Sequence, residues 1–293
     1  MSRSASLGEQ RELALPQGTI RYRERGSGEP IVFVHGVLVN ADLWREVVPP
    51  LADRGYRCIS PDWPLGSHEV ALKAETDLSP PAVASLIADF LGALELDGVT
   101  LVGNDTGGAL LQIVAVNHPE RLGRLVLTPC DAFDNFFPLM FKYLRLVART
   151  PGGLALLSRT ARLKPVRRAP FAFGWLMHKD PPQEVIESWG GPLTASAEVR
   201  RDTAKVLRGI NKRHTLEAAE RLASFDRPTL VAWASEDKVF PPSHGERLAK
   251  IIPNARLRTI DGSYSFVPED QPAELAELIA DFVRETQAAR SAA

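Results

Sequence analysis

The stretch Val99–Gln112, VTLVGNDTGGALLQ, constrains the fold more than any other part of this 293-residue chain. Four apolar or β-branched residues run into a turn, Gly103-x-Asp105-x-Gly107-Gly108, and helix-forming residues follow. Glycines two before and two after Asp105 let strand and helix approach without Cβ clashes. Such a turn drives its central residue into a strained backbone and lifts that side chain above the sheet. Taken alone, the pattern suits a nucleophile or an aspartate that merely caps the following helix.

The rest of the chain repeats the rhythm of strand then helix. Short runs rich in β-branched residues occur at Thr19–Arg25, Ile31–His35, Arg57–Asp62, Arg124–Asp131, Pro228–Ser235 and Ala255–Asp261. Between them lie segments of helical periodicity at Ala41–Gly55, Ser79–Leu96, Gly107–Leu122 and Pro272–Gln287, with Ser79 the expected cap ahead of two prolines. IVFVH (Ile31–His35) is apolar on both faces, as a strand inside a parallel sheet must be. This order predicts an α/β fold, a mostly parallel sheet with helices on both faces. From Asp131 to about His214 the rhythm breaks, and no convincing strand occurs. The expected organisation is therefore a core domain in two parts, 1–130 and 215–293. A helical cap, 131–214, would lie over the carboxyl ends of the strands, where open α/β sheets bind ligands.

A hydrophobic content of 44% over this length is enough for one large core. Lys and Arg total 35 against 36 Asp and Glu, a net charge of −1 that gives no electrostatic case for nucleic acid or an anionic membrane. Arg149, Arg159, Arg162, Arg167 and Arg168 are expected to form a solvated face of the cap. Cys58 and Cys130 are too few for a disulfide framework, and no Cys/His cluster suggests a metal. The first fifteen residues lack an apolar signal core, and no run approaches the roughly 18 apolar residues of a membrane span. The expectation is a cytoplasmic protein that takes a small apolar molecule, without metal or cofactor. Its AARSAA tail is expected to fray.

Five further stretches bear on the function: IVFVHGVLVNADLW (Ile31–Trp44), PDWPLGSH (Pro61–His68), GNDTGG (Gly103–Gly108), WASEDKVFPP (Trp233–Pro242) and FVPEDQP (Phe266–Pro272). Through them the chain resembles the α/β-hydrolase superfamily over nearly its whole length. The aspartate at the turn is similar to that of the haloalkane dehalogenase and epoxide hydrolase branches. The resemblance implies an eight-stranded sheet with a helical cap after the sixth strand. It also implies Asp105 as nucleophile, Asp237 as supporting acid with Asp131 a second candidate, and an oxyanion hole from the Val37 and Thr106 backbone N–H groups. In such chemistry the carboxylate attacks an sp³ carbon to give an ester, and a histidine-activated water then cleaves it.

The histidine is missing. Aligning Phe266 and Pro272 with the family's loop puts Ser265 in its place, and serine has no basic nitrogen. His35 reads as structural beneath the oxyanion loop, His118 as a helix end, His178 and His214 as cap residues, and His244 as the start of a helix. His68, in a loop after a strand, is the candidate for a relocated base. Thr106 and Val37 also replace the tryptophan and asparagine that usually hold a halide in dehalogenases. Tyr143 stands alone in the cap, where epoxide hydrolases typically use two tyrosines. The expected pocket is walled by Leu38, Trp63, Phe133, Phe137, Tyr143, Trp175 and Phe266. The function expected is an enzyme acting on a small, apolar, uncharged molecule through Asp105 as nucleophile or general base. Lyase, isomerase or cyclase chemistry in the same pocket needs neither ester nor histidine, and a ligand-binding protein without turnover is the alternative of another class.

Overall fold

The computed structural model describes residues 3–291, the last three by backbone only. Residues 292–293, in the tail expected to fray, lie outside it. Eight strands form one sheet: β1 (Glu9–Leu15), β2 (Gly18–Arg25), β3 (Glu29–Val34), β4 (Tyr56–Pro61), β5 (Val99–Asp105), β6 (Leu122–Cys130), β7 (Thr229–Ala234) and β8 (Ala255–Ile260). Their order is β1-β2-β4-β3-β5-β6-β7-β8. β1 and β2 pair antiparallel, as do β2 and β4, and every other pairing is parallel. β5, β6 and β7 are buried at every position, which is why their sequences are apolar without alternation. β1 is an exposed edge strand, EQRELAL, with no apolar stripe to announce it.

The helices Pro80–Ala93, Thr106–Asn117 and Pro272–Ser291 occupy their expected places. Two local expectations fail for visible reasons. Ser79 precedes its helix, but its hydroxyl bonds to Asp77 instead of capping. Ala41–Gly55 yields only a 3₁₀ turn, Ala41–Trp44, and the short helix Val48–Ala52, because Pro49 and Pro50 are tolerated only in a first turn.

Between β6 and β7 the chain makes an excursion of helices, among them Tyr143–Val147, Gly153–Ala161, Gln183–Ala195, Ala197–Gly209 and Lys212–Arg221. The last packs on the helix Thr106–Asn117 of the core, so the expected boundary at 214 falls inside a helix that belongs with the sheet. Buried polar contacts fix the excursion to the core. Asp270 accepts from the His178 and Lys179 backbone N–H groups at 2.9 Å and from that of Tyr264 at 3.1 Å. Arg3 forks onto Asp62 and reaches the Ser188 hydroxyl at 3.0 Å. The Phe266 N–H donates to Leu176 O at 2.6 Å. Among the described residues, no helix is long and apolar enough to cross a membrane.

Candidate active site

Asp105 ends β5 with φ 55° and ψ −132°, a region that non-glycine residues avoid, and the helix begins at the next residue. Close approach explains the flanking glycines. A Cβ on Gly103 would stand 2.9 Å from Gly108 Cα, and one on Gly36 would stand 2.3 Å from Asp105 Oδ2. Gly36 therefore makes room for the carboxylate itself. Asn104 secures the turn from behind: its side-chain amide faces Thr128 Oγ1 at 2.8 Å, Pro129 O at 3.1 Å and Ser265 O at 2.7 Å. One side chain thus joins the ends of β5 and β6 to the loop after β8. A polar residue inside an apolar strand is the signal the sequence carries for it.

Three buried carboxyls share this end of the sheet. Burial pushes the Asp105 carboxyl up to about 7; the Thr106 N–H and hydroxyl oppose the shift, and the charge of Asp237 adds to it. Asp131, immediately after β6, is pushed well above the usual carboxylate range by burial and by the charge of Asp105. The Thr106 hydroxyl lies between the two, 3.5 Å from Asp105 Oδ1 and 3.3 Å from Asp131 Oδ2. Asp237 is also raised by burial, to about 6, against the Phe240 and Val239 N–H groups and the Ser265 hydroxyl. All three donate to its Oδ1, at 2.8, 2.7 and 2.9 Å. Asp237 Oδ2 is buried with no hydrogen-bond partner among the described residues. Ser265 thus serves as a donor to Asp237 and carries no basic nitrogen.

None of the six histidines lines the cleft at Asp105. His35 accepts from the Trp63 N–H through Nε2 at 2.9 Å, which leaves its ring proton on Nδ1, 2.9 Å from Gly36 O. Burial drives it down to about 3, so it is neutral and structural. His68 is buried and turns Nε2 toward Asp202 Oδ2 of the excursion at 3.4 Å. It does not line the cleft at Asp105, so the expected relocated base faces another way. His214 lies in the helix Lys212–Arg221, and His244 stacks on Phe133.

Asp105 faces an apolar cleft of about 810 Å³, open mouth included. Val37 and Leu38 line it from the core, and the excursion supplies most of the rest. Of the expected wall, Leu38, Phe137 and Tyr143 are in place. Trp63 instead belongs to the core, stacked on Phe90 with its indole N–H on Phe33 O; Phe133 packs under His244 and Arg247; Trp175 is turned toward solvent. Phe266 forms a second layer behind the lining residues Phe173 and Trp189. Phe141, Leu157, Phe173, Leu176 and Trp189 of the excursion add to the wall. The Tyr143 hydroxyl donates to Phe171 O at 2.8 Å. Among the described residues no acceptor engages the Val37 N–H, while the Leu38 N–H is taken by Leu65 O at 3.0 Å. No group of three or more metal-ligating side chains occurs among the described residues.

The model of the α/β hydrolase fold matches residues 29–272. The chain belongs to this family. Within it, the chain is 26% identical over 268 residues to the uncharacterized hydrolase YugF of Bacillus subtilis, covering 87% of this chain and 90% of that one. It is 27% identical over 273 residues to haloalkane dehalogenase 2 of Mycobacterium tuberculosis, covering 90% and 91%. An α/β-hydrolase fold protein from Burkholderia ambifaria superposes with a TM-score of 0.77 at 20% identity, over 92% of this chain and 97% of that one. Membership fixes the eight-stranded architecture, and hydrolases are among the relatives.

Proposed function

We propose that this protein is an enzyme acting on a small, predominantly apolar, uncharged molecule, with Asp105 as the reactive carboxyl and the excursion as its cap. The observation that carries this is the placement of a strained, buried aspartate, held near 7, against an otherwise apolar cleft. A group whose pKa lies near the working pH is suited to take up a proton and return it. Asp105 would remove a proton from the carbon next to a carbonyl group, giving an enolate. The Val37 N–H, and that of Thr106 once the Asp105 carboxyl it serves has taken up the proton, would hold the oxygen that gains charge, and Asp105 would then return the proton at another carbon or to a departing group. Isomerisation or elimination of this kind needs no ester and no histidine. Ser265 supports the reading by occupying the place from which a base would activate water.

Asp237 favours a second reading. Its Oδ2 has no partner and its carboxyl is largely ionised at neutral pH, so it is the one group able to replace the histidine as base. Asp105 would then attack a haloalkane or epoxide carbon, expelling halide or opening the ring, and Asp237 would deprotonate the water that cleaves the ester. Asp131, raised well above the usual carboxylate range by burial and by the charge of Asp105, is less suited than Asp237 to that role.

Incubation with haloalkanes, epoxides, activated esters and enolisable carbonyl compounds, followed by intact mass and product analysis, separates these readings. Product without an adduct, lost in Asp105→Asn and kept in Asp237→Asn, is expected. Haloalkane or epoxide turnover lost in both variants would select the second reading. Tight ligand binding with neither product nor adduct would overturn both in favour of a binding protein.

A further inference from the structure

The near-neutral charge of the chain averages two opposite regions. Residues 135–179 hold nine Lys and Arg and no Asp or Glu, so the remaining 248 residues carry an excess of ten acids. The same segment holds the exposed large apolar side chains found among the described residues: Leu139, Leu146, Leu156, Leu163, Phe171 and Trp175, from 39% exposed at Trp175 to 78% at Leu139. Three of them are followed three residues later by an exposed cation, in the pairs Leu139–Lys142, Leu146–Arg149 and Leu156–Arg159. Where the backbone is helical, as at Gly153–Ala161, that spacing puts leucine and cation on one face. Not every cation is free. Arg167 is buried against Asp180 at 2.7 Å, contrary to the expected solvated face, and Lys164 lies 3.9 Å from the same carboxylate. Phe171 links this surface to the interior, since it is more than half exposed and also lines the cleft at Asp105.

We propose that the 139–171 segment docks on an anionic lipid surface, with its leucines and Phe171 among the acyl chains and Lys142, Arg149 and Arg159 at the headgroup phosphates. Exposed leucines beside cations, in the segment that also supplies Phe171 to the apolar cleft, match the two layers of a bilayer surface: hydrocarbon below, negative charge above. An acidic protein would satisfy the cations and leave the leucines wet. With no helix among the described residues long and apolar enough to span, the contact proposed is interfacial. The docking does not depend on the chemistry at Asp105. It places the mouth of the cleft where apolar molecules partition, reversing the expectation from net charge that no membrane is a partner.

Co-sedimentation of the full chain with vesicles of phosphatidylcholine, alone or with phosphatidylglycerol, tests this. Binding to the anionic vesicles that weakens with salt is expected, and Asp105→Asn should bind equally. Arg149→Glu with Arg159→Glu should lower affinity at least about tenfold, and Leu146→Ser with Leu156→Ser should lower it as well, with far-ultraviolet circular dichroism unchanged in both. No binding to either vesicle would overturn the proposal. So would loss on charge reversal with full binding by the serine variant, which marks a purely electrostatic surface for an acidic macromolecule.

Discussion

Asp131 and Asp237 follow neighbouring strands, both are buried, and both lie near Asp105, yet their surroundings set them apart. Asp237 receives two backbone N–H groups and the Ser265 hydroxyl on one oxygen, which restrains the rise that burial causes. Asp131 receives only the Thr106 hydroxyl, and its Oδ1 has no partner among the described residues. Burial raises both carboxyls, and the rise is opposed by three donors at Asp237 but by one at Asp131. Two identical side chains thus differ in their suitability as a base through the number of donors each is given.

The largest effect expected belongs to the group between them. Asp105→Asn should lower turnover by about 10³-fold or more, measured as product from whichever compound of the panel reacts. Retained turnover would move the chemistry to Asp131 or Asp237. Next comes Ser265→His, which would give Asp237 the partner its position is shaped for. Haloalkane or epoxide conversion should rise by about 10²-fold, checked by product release with circular dichroism as the control for folding. A folded Ser265→His without any gain would mean that the loop cannot present a base to Asp105.

A smaller effect concerns stability. The folded-state value of Asp105 lies above the ordinary 3.8, so the native state holds its proton more tightly than the unfolded chain. Stability attributable to this group therefore falls as pH rises from about 4 to about 7, and above 7 the whole cost is present. Asp105→Asn should stabilise the fold at pH 8 by on the order of 4 kcal/mol and leave it unchanged at pH 3, measured by denaturant unfolding. The smallest effect is that of Ser265→Ala. It removes one of three donors to Asp237 and should cost about 1 kcal/mol near pH 8, with little loss at pH 4, where the carboxyl is protonated.

The difference between the two acids was only partly legible in the sequence. Glycine spacing, apolar runs and the order of strands carried the parallel sheet and the turn at Asp105, because these depend on local backbone geometry and burial, whereas Asp237 was singled out only through the family resemblance. β1 escaped notice because an exposed edge strand needs no apolar pattern. The cleft wall was the least legible part. Trp63 and Phe133 are large and apolar like true wall residues, but which side of the chain they pack on is decided by loops after β4 and β6, not by any periodicity. Trp189 and Phe173 reach the cleft from helices whose placement depends on distant contacts such as Ser67 to Trp189 O and Asp270 to His178. The roles of Asn104 and Thr106 as links between strand ends are likewise tertiary facts that no spacing in the chain records.

Carbon-13 carboxyl NMR titration of the aspartates, with Asp105→Asn to assign the resonance, tests most directly the claim that Asp105 is a carboxyl poised for chemistry at neutral pH. A resonance that titrates near 7 and disappears in the variant is the expected result. An Asp105 resonance that titrates near 4, as an ordinary solvated carboxylate does, would contradict it.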